Sequence, residues 1–187
     1  MTKVYRFWYT FVMKNYDLIY ENAADNYGII TSAEAKDLGI PNVELVKLAQ
    51  RGRLKRLGHG VYKIIQYQPS AFDKYAEAVN LVGHGAVIYG QSVLAMHELA
   101  LVNPTHIHVA VKGRLRKQVP LVIMLHTLPN SINKVFYEGI PSQSVYEALL
   151  VCQNVVMNER LLDAVEDAER RGLLTKFEAI NIRGEIG

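Results

Sequence analysis

Lysine and arginine side chains are concentrated in one stretch of the chain, between Leu45 and Lys63. This stretch contains no aspartate or glutamate, and its cations are Lys47, Arg51, Arg53, Lys55, Arg56 and Lys63. Ammonium and guanidinium groups at this density attract polyanions and bind phosphate oxygens through charge-assisted hydrogen bonds. The chemistry expected here is recognition of an anionic polymer, although a run of charge can also be no more than a solvated face.

Other residues are of types that enzymes use, but their spacing completes no catalytic or metal-binding set. His106 and His108 would share one face of a strand, yet no Cys, Asp or Glu lies near them in the sequence. His97-Glu98 resembles part of a metallohydrolase helix, except that Leu101 occupies the place of the second histidine. Glu34-Ala35-Lys36 mimics a nuclease Glu-x-Lys but falls in the first turn of an expected helix. We therefore expect no enzyme, no metal and no cofactor.

The single cysteine and the N-terminal stretch indicate the compartment. Cys152 excludes an internal disulfide and fits a reducing cytoplasm. It lies among apolar residues without a neighbouring base, so we expect it to pack within a helix rather than to act as a nucleophile. The aromatic N-terminal stretch is interrupted by Lys3, Arg6 and Lys14 and lacks the ~20 apolar residues of a membrane span. The sequence predicts a cytoplasmic protein with no membrane partner.

Capping and turn residues predict the elements that present the cations. Thr31 and Glu34 have the spacing of a capping box, in which each side chain binds a free amide of the first helical turn. Gly39 ends this helix, and Pro41 suits the first turn of a second helix because its missing N–H is not needed there. Two helices joined at this point form a helix-turn-helix.

The second helix, about Pro41 to Arg51, has two distinct faces. Leu45, Leu48 and Ala49 share the face that packs into the core. The other face has short or charged residues that would reach base edges and phosphates in a major groove. These residues are Asn42, Val43, Glu44, Lys47 and Arg51.

A tight hairpin follows the second helix and would be the wing of a winged helix. Gly58-His59-Gly60 supplies the glycines of its turn, and Val61 to Ile64 begins the second strand. The predicted DNA contacts of this hairpin are Arg53, Lys55, Arg56, His59 and Lys63. Winged helices also dock proteins, so a protein-binding or RNA-binding adaptor without operator specificity is the alternative.

Several blocks of the chain resemble, in order, the AbiE-type antitoxins of type IV toxin–antitoxin systems. The first block is the run from Ile30 to Tyr62, which contains both helices and the hairpin. The later blocks are residues 85–99 (GAVIYGQSVLAMHEL), 103–111 (NPTHIHVAV), 139–141 (GIP) and 170–175 (RRGLLT). After 139–141 the family often continues with a Ser-Pro-Glu-Arg-type helix start, whereas this chain has Ser142 to Glu147.

The resemblance implies a bifunctional bacterial protein of a phage-defence (abortive-infection) system. Its winged helix would repress its own operon by binding double-stranded DNA at inverted repeats in the promoter, as a monomer or weak dimer. Its C-terminal domain would counter a cognate toxin of the nucleotidyltransferase type, directly or functionally. Composition and spacing do not themselves indicate this second activity.

The expected fold class is α+β, in two domains. Residues 1–65 would form the winged helix-turn-helix domain, in which residues 1–12 extend the first helix or form a separate segment. The apolar stripe of that first helix would be Tyr16, Ile19, Tyr20, Ala23 and Tyr27. Pro69 and Ser70 indicate a linker at residues 66–71. Residues 72–187 would form a mixed α/β domain with a small sheet and closing helices.

Within the second domain, the apolar runs 106–111 and 121–126 are typical of paired strands. The loop between them carries Lys112, Arg114, Arg116 and Lys117, which would bind DNA or an acidic partner, or form the solvated tip of a hairpin. We expect helices from about residue 90 to Ala100 and, after Pro141, at 142–152, 158–171 and 175–182. Asn158 would cap the second of the closing helices, and Thr175 with Glu178 the third.

Overall fold

A computed structural model describes residues 15–113, 115, 118–128 and 133–186. Over these residues the chain contains helices and two separate sheets, which confirms the expected α+β class. Its contacts divide it into two compact units, the first ending at Leu81 and the second beginning at Val82. No helix within the described ranges is long and apolar enough to cross a membrane.

The first unit combines helices with short strands. In chain order its elements are α1 (residues 15–24), β1 (Ile29–Thr31), α2 (Ser32–Asp37), α3 (Asn42–Gln50), β2 (Leu54–Gly58), β3 (Val61–Ile64) and α4 (Asp73–Val82). Strand β3 is the centre of an antiparallel sheet of order β1-β3-β2. The core is formed by Ile19, Ala23, Ile30, Ala35, Ile40, Leu45, Leu48, Leu54, Tyr62 and Ile64.

The connection between α2 and α3 is built as the sequence predicts. The Thr31 hydroxyl accepts a hydrogen bond from Glu34 N (3.2 Å), and Glu34 Oε2 accepts one from Thr31 N (2.7 Å), so the capping box is present. Gly39 has a φ of 75° and donates its N–H to the Lys36 carbonyl (2.9 Å). This left-handed residue closes α2 and turns the chain toward α3. Pro41 precedes α3 as its N-cap residue.

Helix α1 differs from the predicted stripe at two of its tyrosines. Ile19 and Ala23 are fully buried, as expected, but Tyr20 is 47% exposed. Tyr27 lies beyond the helix, in a turn, with a φ of 55°. A tyrosine counts as apolar in a periodicity analysis, although its hydroxyl group also allows it to stay at the surface. The expected extension at residues 1–12 lies outside the described residues.

The border between the units lies later than the predicted linker at residues 66–71. Helix α4 belongs to the first unit as far as Leu81, and there Lys63 on β3 binds Asp73 (2.5 Å) and Glu77 (2.6 Å) on α4. The predicted linker is therefore a connection inside this unit. An independently folding domain of residues 1–65 stays a prediction.

The second unit contains a five-stranded mixed sheet and the closing helices. Its elements are β4 (Val87–Ile88), α5 (Gln91–Met96), β5 (Ile107–Lys112), β6 (Ile123–Leu128), β7 (Lys134–Tyr137), β8 (Ile140–Gln143), α6 (Val145–Cys152), α7 (Asn158–Arg170) and α8 (Lys176–Ile186). The strand order is β6-β5-β4-β8-β7. Ile88, Val109 and Leu149 are among its fully buried side chains.

Three features of this unit correct the sequence analysis. Strands β5 and β6 pair as predicted but run parallel, with Ile107 opposite Ile123, so the two strands are not the arms of a hairpin. Helix α5 ends at Met96 rather than near Ala100, where the φ of 57° is left-handed. Pro141 lies on strand β8 and does not begin the helical part. Residue types indicate strand propensity, but direction is set by the partner strand.

The closing helices lie close to their predicted ranges and differ at their ends. Thr175 and Glu178 form the predicted capping box, with 2.8 Å between Thr175 N and Glu178 Oε2, and α8 continues to Ile186. Asn158 is the first residue of α7 and not its cap. Its amide group instead donates to the Ile186 carbonyl (2.9 Å), which ties the start of α7 to the end of α8.

Candidate nucleic-acid interface

One side of helix α3 is exposed along its whole length. The opposite side is anchored by Leu45 and Leu48, which are buried in the core of the first unit. Because helical side chains repeat every three to four residues, these two leucines fix which residues point outward. The residues on the outward side are Asn42, Val43, Val46 and Gln50.

Glu44 does not belong to the exposed face on which the sequence analysis placed it. It is 8% exposed, and its Oε1 accepts a hydrogen bond from Lys47 Nζ at 2.8 Å. The two residues are one turn apart, so the ion pair runs along the side of α3. The predicted placement of Glu44 on the exposed face is corrected, since its carboxylate is buried and turned toward Lys47.

Val46 and Gln50 were not among the predicted contacts. Both are exposed, and they continue the row that begins at Asn42, because residues four apart lie above one another on a helix. The spacing 42, 46, 50 is visible in the sequence. Val43 was predicted to face outward but Val46 was not, and the packing of α3 shows that Val46 is also exposed.

The six cations of the stretch 45–63 lie at the C-terminal end of α3 and on the hairpin. Lys47 is in the last turn of α3, and Arg51 is its C-cap residue; both also take part in interactions within the chain. Cations at this end of a helix interact favourably with the helix dipole. The first turns of the exposed α3 face are therefore uncharged, and positive charge begins where the helix ends.

The β2–β3 hairpin presents further cations at the surface. Arg53, Lys55 and Arg56 are exposed, as is His59 in the turn. Arg56 Nε donates to a backbone carbonyl of the hairpin (3.2 Å), and the Arg53 guanidinium lies 5.5 Å from the centre of the Tyr16 ring, a cation–π contact. These contacts orient two of the guanidinium groups while leaving both side chains exposed to solvent.

Lys63, which was predicted to contact phosphate, is held by two carboxylates of the same unit. Its ammonium lies between Asp73 and Glu77 of α4, and its side chain is 14% exposed. Burial acts to lower the pKa of Lys63, but hydrogen bonds to the two carboxylates outweigh burial and raise that pKa above its ordinary value. For Asp73, burial acts to raise the pKa, while hydrogen bonds from Lys63 and Ser70 lower it overall. Lys63 therefore joins the hairpin to α4.

The second predicted set of cations lies mostly outside the described residues. Lys112, the last residue of β5, is exposed. Arg114, Arg116 and Lys117 are not among the residues that the structure describes. A contact of these four residues with DNA or with an acidic partner stays a prediction.

His97 and His108 pack against other aromatic side chains, whereas His106 Nδ1 lies 2.9 Å from the Thr105 hydroxyl. His97 is buried with its ring centre 3.9 Å from that of Tyr137, and burial together with a nearby arginine lowers its pKa to about 4. His108 and His126 lie 3.0 Å apart between Nδ1 and Nε2, and burial lowers the pKa of both. Over the described part of the chain, no three or more His, Cys, Asp or Glu side chains are grouped to hold a metal ion.

Cys152 packs within a helix, as the sequence predicts. It is the last residue of α6 and is 1% exposed. Burial raises the pKa of its thiol to about 12, which keeps the sulfur protonated at neutral pH. A thiol in this state is a core side chain and a poor nucleophile.

Comparison with protein families confirms the resemblance for part of the chain. Residues 17–64, from α1 to the end of β3, match the family described as transcriptional regulator, AbiEi antitoxin. A search of curated proteins finds no match. The family match supports a role as an antitoxin and transcriptional regulator, and it covers the exposed α3 face and the hairpin cations. For the second unit the resemblance stays an expectation.

Proposed function

We propose that this protein is a bacterial antitoxin that represses transcription of its own toxin–antitoxin operon by binding double-stranded DNA. The observation that carries the proposal is the exposed face of α3 beside the exposed cations of the β2–β3 hairpin. Both lie within the segment that matches the regulator family. Sequence-specific recognition needs such a combination, because base edges give specificity while phosphate contacts fix position and register.

The order of elements in the first unit supports a winged helix-turn-helix. Helices α2 and α3 would be the helix-turn-helix, with β2 and β3 as the wing, and β1 completes the sheet beside β3. Helix α3 would enter the major groove, with its outward residues toward base edges. Arg53, Lys55 and Arg56 would contact phosphates next to the groove. Glu44 and Lys63 would bind no DNA, because each is held in an ion pair within the unit.

Autoregulation would use inverted repeats in the promoter. A chain with one recognition helix occupies one half-site, so two chains, as adjacent monomers or as a weak dimer, would cover both halves of a repeat. A repressor acts where the chromosome is, and the proposal therefore implies a cytoplasmic location. The toxin-directed activity of the second unit, against a toxin of nucleotidyltransferase type in a type IV phage-defence system, is supported by the resemblance.

The proposal is tested by a gel-shift titration of the full chain against the DNA upstream of its own gene. A scrambled duplex is the competitor, at near-physiological salt. We expect at least ~10³-fold preference for the upstream DNA. The variant K55A/R56A should bind both DNAs more weakly, whereas K176A, which removes an exposed lysine on α8, should bind as the wild type does.

Equal binding of both duplexes by the wild type would contradict the repressor. Equal and salt-sensitive binding would instead indicate general affinity for polyanions, and no DNA binding would favour the protein- or RNA-binding adaptor. The second unit needs a separate test, in which co-expression with the product of the neighbouring gene restores growth. Failure to restore growth would contradict the antitoxin activity without affecting the repressor.

A further inference from the structure

The outward face of α3 carries two adjacent valines. Val43 is 55% exposed and Val46 is 41% exposed, and they lie one helical turn apart. A single exposed apolar side chain is ordinary on a protein surface. Here the two valines lie between Asn42 and Gln50 on one helix face, and exposed cations follow directly at Arg51 and on the hairpin.

The major groove offers a specific partner to each of these side-chain types. The C5 methyl group of thymine is the apolar feature of the groove, and aliphatic side chains pack against it. A carboxamide donates to adenine N7 and accepts from adenine N6, so asparagine and glutamine both suit adenine. Valine, asparagine and glutamine together match the two bases of an A·T pair.

The side chains that suit guanine are placed differently. Guanine presents two acceptors, which arginine or lysine binds best. Lys47 is the one cation between Asn42 and Gln50, and its ammonium is bound to Glu44 at 2.8 Å. Arg51 stands beyond the last helical residue. The part of α3 that would enter the groove first therefore presents apolar and carboxamide groups, with no cation among its outward residues.

We propose that α3 reads A·T base pairs, with Val43 and Val46 packing against thymine methyl groups and Asn42 and Gln50 bonding adenine. This inference rests on the DNA-binding function proposed above and adds the base composition of the site. The preferred half-site is then a run of A·T pairs at the positions that α3 covers. The hairpin cations supply affinity for phosphate without selecting the base.

The thymine methyl group can be removed without changing base pairing. The upstream DNA is prepared once with thymine and once with uracil in its place, and the affinity of the full chain for each is measured at equilibrium. Loss of one buried methyl contact weakens binding about fourfold, and loss of two about fifteenfold. We expect the wild type to bind the thymine duplex at least fourfold more tightly than the uracil duplex.

Alanine variants identify which valine contacts the thymine methyl groups. V46A and V43A should each reduce the ratio of the two affinities, and V43A/V46A should bring it near one. V151A is the matched control, because Val151 is also an exposed helical valine, at 39%, and lies on α6 of the second unit. It should leave the ratio unchanged. K55A should weaken binding to both duplexes by the same factor.

The outcomes separate this inference from the function on which it rests. If the wild type prefers its upstream DNA but binds thymine and uracil duplexes equally, the A·T reading is overturned and the repressor stands. A ratio that persists in V43A/V46A would also overturn it, because the methyl groups would then be sensed elsewhere. If the wild type shows no preference for its upstream DNA, the repressor fails and the inference fails with it.

Discussion

The ammonium group of Lys63 lies 2.5 Å from Asp73 Oδ2, which ties strand β3 of the hairpin to helix α4. Glu77 Oε1, one helical turn further along α4, lies 2.6 Å from the same ammonium. The centre of the predicted wing thus contains a cation that already has two anionic partners. Its neighbour across the hairpin, Lys55, is exposed. Two lysines that are equivalent in a sequence analysis therefore have different roles.

Replacing Lys63 should lower stability and leave phosphate binding intact. The variant K63M keeps the aliphatic stem but leaves Asp73 and Glu77 without their cation, which should cost about 1 to 3 kcal/mol of unfolding free energy. Urea unfolding measures this loss. At a temperature where the variant is fully folded, its affinity for DNA should stay within about twofold of the wild type.

Lys55 provides the matched control for this substitution. K55M should change the unfolding free energy by less than about 0.5 kcal/mol, because Lys55 is an exposed side chain. Its affinity for DNA should fall at every sequence tested. If K63M weakened DNA binding as much as K55M while remaining as stable as the wild type, Lys63 would be a phosphate ligand after all.

The hairpin cations should determine the salt dependence of binding. Each phosphate contact that is lost lowers the slope of log affinity against log salt by about 1. K55A/R56A should therefore show a slope smaller by about 2, measured by fluorescence anisotropy between low and near-physiological salt. The preference for specific over scrambled DNA should be unchanged. A variant with the wild-type slope would show that neither side chain contacts phosphate.

Acid should destabilise the second unit through His97. The pKa of His97 lies at about 4, below the ordinary 6.5, because of burial first and then the charge of Arg171. Between these values the unfolded chain binds a proton that the folded chain does not. Neutral His97 therefore contributes about 3 kcal/mol to the free energy of unfolding above pH 6.5. This contribution is lost as the pH falls toward 4. His108 and His126, whose pKa values are also lowered by burial, act in the same direction.

The variant H97F isolates the contribution of this histidine, because its ring can still pack against Tyr137. Urea unfolding of H97F should depend less on pH between 6.5 and 4 than that of the wild type. An NMR titration of the wild-type imidazole provides an independent measurement. A His97 resonance that titrated near pH 6.5 in the folded protein would refute this prediction.

The two capping boxes allow a paired test of the units. T31A removes the cap of α2, and T175A removes that of α8; each should cost about 1 kcal/mol of unfolding free energy. T31A should also weaken DNA binding at temperatures near the unfolding transition of the first unit, because α2 supports α3. T175A should not. Equal effects of both variants on DNA binding would indicate that the cap of α2 has no particular link to the interface.

The sequence predicted α2, α3 and the β2–β3 hairpin because their signals are local, whereas strand β1 was not predicted. A capping box and a left-handed glycine act within four residues, so Thr31, Glu34 and Gly39 suffice to define the ends of α2. The ion pairs of Glu44 and Lys63 were not predicted, because each depends on where the partner side chain lies. Lys47 is one turn away from Glu44, but Asp73 and Glu77 lie on a helix beyond the expected linker.

In the second unit, the direction of the strands also depends on partners that are distant in the sequence. Residue types indicated strands at β5 and β6, yet their parallel pairing depends on long-range order of the sheet. Val46 illustrates the limit at the level of one side chain. Its apolar side chain would be expected in the core. It is exposed because Leu45 and Leu48 pack into the core on the opposite side of α3.

Repression in cells is the direct test of autoregulation by this protein. A reporter gene is placed behind the DNA upstream of this gene, and its expression is measured without the protein, with the wild type and with K55A/R56A at matched protein levels. We expect the wild type to lower expression and K55A/R56A largely to restore it. Equal expression in all three strains, with the wild-type protein shown to be folded and present, would refute autorepression.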